Sequence, residues 1–428
     1  MRRLKVLKNE ILNGKVDDVL SELYGKAENI PEQRTRYNTL IESFQKEFPK
    51  TEEASFFSSP GRTEIGGNHT DHNGGRVLAA AISLDIVALA SPNDDKIIRI
   101  LSEGYETIEI NITDLSSRSD EKFTSAALVR GVCSGFEKLG ITFNGFSACI
   151  SGNVPKGSGL SSSAAFEILI AFIINNFYNN QALNAIELAK IAQYAENDFF
   201  GKPCGLMDQT TCSVGGIVTI DFMDFDNPIV RKVDVDFSNA GHILVIVDTG
   251  GNHADMNEDY IALENEMKLV AKTLGKRVLR ELEKDDVMNS LVSIREKTGD
   301  RAVLRALHFF DDDQRVVDQV DSLERGDFNQ FFRLVVESGQ SSWMYCQNCY
   351  SDKYPHLQGI SIALAVSKDV LSEKGAYRVH GGGFAGTIQA FIPMDLIDYY
   401  EKRLSGIFGK RSCHTISIRR NGCIKVLL

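Results

Sequence analysis

Apolar residues recur every three or four positions through Val16–Tyr24 and Tyr37–Phe48, within a charged segment covering residues 1–55. This spacing predicts amphipathic helices. The pattern changes from residue 76. Val77–Ile82, Ile86–Ala90 and Ile97–Ile100 are short apolar or alternating runs, and Thr107–Ile112 alternates strictly; all four predict strands. Asp120–Leu139 predicts a helix, Gly145–Ser151 a strand, and residues 163–178 and 184–199 two further helices. Gly215–Phe222 and His242–Val247 again predict strands. The polar stretch 228–241 between them marks a domain boundary, dividing the chain into 1–235 and 236–428. Residues 255–345 are mostly helical in pattern. Ala376–Val379 and Thr387–Ile392 predict strands flanking a glycine-rich turn. Strands and helices do not alternate strictly, so the expected fold class is α+β rather than a doubly wound parallel sheet. No internal repeat or low-complexity linker interrupts the chain.

Composition narrows the function classes. The 428 residues are 43% hydrophobic and 25% charged, as in ordinary globular proteins of two or three domains. A formal net charge of −11 argues against a general nucleic-acid surface. No segment reaches the ~18 apolar residues of a membrane span; the strongest, Ile168–Ile174, reads as part of a buried helix. The basic start, Met1–Lys5, is followed by no apolar leader pattern, so a cytoplasmic protein is expected. Of the eight cysteines, only Cys346 and Cys349 have metal-like or redox-like spacing. His356 and His380 complete no ligand pattern with them, and buried or loop thiols are the simpler reading.

Four segments carry candidate chemistry. The first is Gly157-Ser158-Gly159-Leu160-Ser161-Ser162-Ser163-Ala164, directly before the apolar run Phe166–Phe177. A helix starting there would aim free N–H groups and its positive dipole end at the loop. Such a loop suits nucleotide phosphates, although a Gly/Ser turn with an ordinary N-cap also accounts for it. It is not of the Walker type, because no Gly-Lys-Ser/Thr follows. The second segment, Pro60–Gly75, holds five glycines with Arg62, Asn68, His69, Asp71, His72 and Asn73. It reads as a polar loop that forms no core and presents donors and acceptors in many directions, as a polyol requires.

The third segment is Glu196–Gln209. Glu196 follows Ala192 by four residues and Ala189 by seven, which sets it along an apolar stripe. A carboxylate there needs a cation or a strong donor, and nucleotide-bound magnesium or a lysine would each serve. Asp208 lies among small and apolar residues, where a buried acid can be set against a cation such as Arg62. The fourth, His380–Gly386, is a glycine-rich loop that a strand-to-helix turn explains about as well as a ligand does.

Together and in this order, these segments resemble the galactokinases, within the wider GHMP small-molecule kinases. Pro60–Gly75 resembles the sugar-recognition signature, Gly157–Ala164 the ATP loop, Cys204–Gln209 the catalytic segment and Gly381–Gly386 the third GHMP motif. Asp259-Tyr260, Glu324–Asp327 and Val336–Ser338 also resemble galactokinase positions, and the similarity runs from about residue 55 onward. The resemblance implies a two-domain α+β kinase with ATP and sugar in the cleft between domains. It also implies γ-phosphoryl transfer to an anomeric hydroxyl. By position Asp208 matches the catalytic aspartate and Arg62 its partner. Asn68, His69, Asp71, Gly205 and Tyr260 match the sugar site, and Gly157–Ser163 the ATP phosphates. Gly381, Gly382 and Gly383 match the third-motif loop, and Ser163 and Glu196 the Mg²⁺ ligands. Small-molecule sugar and ATP are the expected partners of a monomer or weak oligomer.

The departures from the family pattern concern the substrate. Asn68 stands where the family usually has a Glu that accepts a bond from the sugar C6 hydroxyl, and Thr63-Glu64 replaces the usual Val-Asn. Ala385 replaces a glycine of the third motif. Asn is neutral and also donates, so a C6-altered sugar such as galacturonate stands as the alternative to D-galactose. A sugar and nucleotide sensor that does not phosphorylate is a third reading. The complete Gly/Ser loop and the presence of both Arg62 and Asp208 weigh against it.

Overall fold

The computed structural model describes residues 1–25, 27–155, 158–202, 204–235, 237–250 and 256–426. Strands β1 (Arg2–Arg3), β2 (Glu53–Gly66), β3 (Arg76–Pro92), β4 (Ile97–Ser102), β5 (Ile108–Asn111) and β6 (Phe146–Gly152) form one sheet in the order β1-β2-β3-β6-β4-β5. Strands β7 (Ile217–Asp221) and β8 (Ile229–Val233) extend it beside the first half of β3. All its pairings are antiparallel except β4 with β6. A second, antiparallel sheet runs β10-β11-β9-β12, from β9 (His242–Asp248), β10 (Ala376–Val379), β11 (Thr387–Pro393) and β12 (Cys413–Ile416). The last strand, β13 (Ile424–Val426), returns to the first sheet and pairs with β2.

The two apolar runs Val77–Ile82 and Ile86–Ala90 turn out to be one long strand, β3. It holds together across Ser83–Asp85 because the C-terminal segment bridges it there: Ser83 N–H donates to Ser417 O at 2.9 Å, and Arg419 N–H to Ala81 O at 2.9 Å. The solid apolar character of the run follows from cover on both faces. Phe57, Ala88 and Ala90 face the main core, whereas the alternating Phe56, Val87 and Leu89 face the N-terminal helices. Those helices are α1 (Leu4–Leu12), α2 (Asp17–Tyr24) and α3 (Ile30–Glu47); the last buries Tyr37, Leu40, Ile41 and Phe44 at helical spacing. Helices α1, α2 and α3 therefore form one wall of the sheet.

The other face of the sheet carries α4 (Ser125–Lys138), α5 (Ser162–Tyr178), α6 (Ala185–Tyr194) and α7 (Met207–Val214). α5 is buried on nearly every side, which is why its sequence shows so little polar face. The predicted helix at Asp120 begins only at Ser125, because Thr124 is extended (φ −111°) and its hydroxyl caps Ala127 N–H. The helix predicted over 184–199 turns π-helical at Ala195–Phe200. A largely helical body follows: α8 (Asn257–Thr273), α9 (Lys284–Asn289), α10 (Leu291–Thr298), α11 (Asp300–Glu324) and α12 (Phe328–Ser341). Helices α13 (Gly359–Leu371) and α14 (Ile397–Phe408) pack on the second sheet. None of the described helices is long and apolar enough to cross a membrane.

Candidate active site

The polar loop expected at Pro60–Gly75 is a loop only in its second half. β2 continues through Gly66, and residues 60–68 are all buried. The strand accommodates Pro60 at a break in its ladder with β3, where a missing N–H donor costs nothing. Gly61 lets the strand pass against the Gly/Ser loop: a Cβ there would lie 2.7 Å from Leu160 O.

This close approach delivers Arg62 to Asp208. Arg62 Nε donates to Asp208 Oδ1 at 2.7 Å and Nη2 to Oδ2 at 2.5 Å, while Nη1 donates to Gly159 O. The Ser161 hydroxyl donates to Asp208 Oδ2. Asp208 sits in the first turn of α7, at the positive end of the helix. Burial alone would raise its pKa. The Arg62 charge and the bonds from Ser161 and Arg62 outweigh burial and hold the carboxyl below its ordinary value. It therefore carries a full charge near neutrality. Its side chain keeps 31% exposure, against 8% for Arg62, so one side of the carboxylate stays open.

The Gly/Ser loop leads into α5 as expected. Gly157 lies outside the described residues. Ser158 donates to Pro155 O at 2.7 Å, and Leu160 is buried in the core. Ser161 takes a left-handed conformation (φ 59°), and no side chain caps the N-terminus of α5. The N–H groups of its first turn are left for a ligand or water. Ser162 and Ser163 begin the helix.

Ser163 donates to Glu196 Oε1 at 3.3 Å. The π-helical turn carries Glu196, which is 3% exposed, as the apolar stripe predicts. Gln209 Nε2 donates to Glu196 Oε2 at 2.8 Å and to Glu167 Oε2 at 3.3 Å. Lys202 Nζ lies 3.8 Å from Glu196 Oε1. Burial pushes both carboxyls upward, Glu167 most strongly. Among the described residues no cluster of three His, Cys, Asp or Glu side chains is set to hold a metal. One carboxylate with one hydroxyl is nevertheless a fitting oxygen set for Mg²⁺, which keeps waters and binds substrate phosphates.

Of the expected sugar residues, Asn68, His69 and Tyr260 gather around the third-motif loop, and Gly205 and Asp71 lie against each other. Gly205 packs against Asp71, where an added Cβ would stand 2.4 Å from Asp71 Oδ2. Burial, and more weakly the Asp208 charge, raise the Asp71 pKa. His69, at φ 60°, shares a hydrogen bond with Gly382 O at 2.8 Å, and Tyr260 donates to Gly383 O at 3.0 Å. Burial and His72 lower the His69 pKa to about 3, so the ring is neutral. Gly381 and Gly382 thus touch the Pro60–Gly75 segment, and Gly383 touches Tyr260, instead of forming a bare turn. Asn68 is placed differently from the rest. Its side-chain amide is 1% exposed and bonds only to protein groups: Glu64, Gly381, Ser342 and Asn348.

The sequence reading placed His380 in the site only as the start of a glycine-rich loop, and it missed Glu167, Arg378 and Asn348. His380 bonds Thr63 Oγ1 at 3.0 Å and Thr387 Oγ1 at 3.1 Å, and Thr387 donates to Ser158 O at 3.0 Å, joining the three motifs. Glu167 was visible as a lone carboxylate four residues after Ser163 in an apolar helix. Arg378 and Asn348 carried no local signal, because their partners lie hundreds of positions away.

Family models match two parts of the chain: "Galactokinase galactose-binding signature" over residues 42–92 and "GHMP kinases N terminal domain" over 127–216. A galactokinase of Clostridium tetani is 30% identical over 384 residues, covering 88% of this chain and 94% of that protein. Among solved structures, Lactococcus lactis galactokinase complexed with galactose has a TM-score of 0.76 at 24% identity, covering 90% of this chain and 98% of that one. The mevalonate kinase of Methanococcus jannaschii has a TM-score of 0.59 at 16% identity, covering 86% and 98%. These matches bear out the α+β kinase fold expected from the motifs.

Proposed function

The chain belongs to the galactokinase family, and we propose that it uses ATP to phosphorylate D-galactose on its anomeric hydroxyl. The observation that carries this reading is the Arg62–Asp208 fork. Its carboxylate is ionised and open on one side, beside Ser161 at the uncapped start of α5. The reading takes residues 1–235 and 236–428 as two lobes. The sequence of sheets supports it, since every strand of the first sheet precedes β9 except the returning β13, and β9 begins the second.

In this reading Asp208 accepts a hydrogen bond from the anomeric hydroxyl and holds it in line with the γ-phosphorus. The new O–P bond forms as the bond to the ADP oxygen breaks, and the hydroxyl proton passes to Asp208 and then to solvent. A carboxyl held below its ordinary pKa takes that proton late, so positioning contributes more than basicity. Arg62 keeps Asp208 oriented and offsets negative charge at the reacting centre. Asp71, His69, Gly205 and Tyr260 form the sugar site. The N–H groups along Ser158–Ser163 receive phosphate oxygens. Ser163 and Glu196 would hold Mg²⁺, which neutralises charge on the phosphates when bound.

The galacturonate alternative rested on Asn68 as a free sugar contact. Its amide is used within the protein, which supports galactose over a C6-altered sugar. The test is ADP release with ATP and Mg²⁺ over galactose, N-acetylgalactosamine, arabinose and glucose. Galactose is expected to give the highest kcat/KM. No ADP release with any sugar would leave the sensor reading instead.

A further inference from the structure

Glu64 and Asn68 meet inside the protein, next to a buried arginine. Asn68 Nδ2 donates to Glu64 Oε1 at 2.9 Å, and Arg378 Nη2 donates to the same oxygen at 3.0 Å. Arg378 is fully buried, and its other donors go to Ile65 O and Val379 O at 2.7 and 3.0 Å. The second Asn68 donor bond reaches Gly381 O at 2.8 Å. Asn68 Oδ1 accepts from Asn348 Nδ2 at 2.8 Å and Ser342 Oγ at 3.1 Å. Its main chain is held as well, by Asp312 Oδ2 and His308 Nε2, each at 2.8 Å. Both donors and both lone pairs of the amide are used.

The chemistry of this cluster fixes its composition. Arg378 needs one carboxylate, because an unpaired buried charge is costly. A second carboxylate at residue 68 would face Glu64 across a hydrogen-bond distance, where the two could not both be ionised without strong repulsion. It would also lose the bond to Gly381 O, since an ionised carboxylate does not donate. In the galactokinase signature that Pro60–Gly75 resembles, Asn usually stands at the position of Glu64 and Glu at the position of Asn68. This chain carries the same pair with its ends exchanged.

We propose that Glu64 and Asn68 are a reciprocally exchanged pair, and that Asn68 is a positioning residue which locks the third-motif loop and His69 rather than a ligand of the sugar. The proposal rests on the sugar-kinase reading for its kinetic consequence only; the exchange itself stands on packing. Asn68 ties β2 to Gly381, whose loop neighbours Gly382 and Gly383 hold His69 and Tyr260. Loosening it shifts those side chains by fractions of an ångström, which is enough to weaken substrate positioning.

The test is a double-mutant cycle of Glu64→Asn, Asn68→Glu and the two together, read by unfolding temperature and by KM and kcat for galactose. Each single change is expected to raise KM about tenfold or more and to lower the unfolding temperature by about 3 °C or more. The double variant is expected to recover most of both losses. A single variant that fails to fold counts as that loss, and the double variant then decides. A double variant no better than the worse single would overturn the exchange. Asn68→Ala supplies a second readout, the ratio of kcat/KM for galactose over 6-deoxygalactose. A positioning role leaves that ratio within about twofold of the wild type while both values fall; a collapse of the ratio would make Asn68 a C6 ligand and overturn the proposal. If the wild type does not phosphorylate galactose, the function reading fails, and the thermal cycle still tests the exchange.

Discussion

Asp208 and Asp85 are both carboxylates held by arginine inside the same half of the molecule, and their surroundings assign them opposite work. Asp85 is fully buried and has two guanidinium partners, Arg36 at 2.7 Å and Arg419 at 3.3 Å. It also accepts from Tyr24 OH at 2.8 Å and from Ser58. It staples α2, α3, β2, β3 and the C-terminal segment together, and no part of it faces solvent. Asp208 has one arginine, one serine and an open side. The lesson is that burial and ion pairing do not by themselves mark a reactive carboxylate. Unfilled capacity at an exposed edge does.

The strongest way to break this comparison is to neutralise each acid in turn. Asp208→Asn is expected to lower kcat about 10³-fold or more while ATP binding persists. Near-normal turnover would remove Asp208 from the mechanism. Asp85→Asn is expected to do the reverse, costing about 3–5 kcal/mol in denaturant unfolding. Its kcat per folded molecule should stay near that of the wild type. A fall in kcat without a fall in stability would dissolve the distinction.

Glu64 sharpens it, as a buried acid intermediate between the two. Burial outweighs Arg378 and Arg62 and raises its pKa to about 7 from 4.5. The folded state therefore binds the proton more tightly than the unfolded state. Its contribution to stability is full below pH ~4.5 and is lost as the pH rises through about 7. Relative to Glu64→Gln, the wild type should lose about 1–3 kcal/mol between those limits, measured by urea unfolding across pH. A pH-independent difference would contradict this. Smallest of all, Tyr24→Phe removes one bond to Asp85 and one shared with Tyr37, and should cost about 1–2 kcal/mol with activity intact.

The legibility of these features in the sequence followed their range. Helical and alternating periods located most elements, and the short motifs located Arg62, Asp208, Ser163 and Glu196, because each is a local pattern. The fusion of Val77–Ile82 with Ile86–Ala90 was hidden, since the segment that bridges it comes more than 300 positions later. The polar composition of Pro60–Gly66 also misled. Its polar groups are buried but satisfied by Asp208, His380 and Arg378, partners far along the chain. Asn68 is a case of the same kind: its residue type announces hydrogen-bonding capacity but not the groups inside the protein that already use it.

The central claim is tested most directly by identifying the phosphorylated position. The purified chain is incubated with ATP, Mg²⁺ and uniformly ¹³C-labelled galactose, and phosphorus–carbon coupling in the product is read by NMR. Coupling of the phosphate to C1, absent with Asp208→Asn, is the result this account predicts. Phosphate on C6, or no phosphorylated sugar at all, would contradict it.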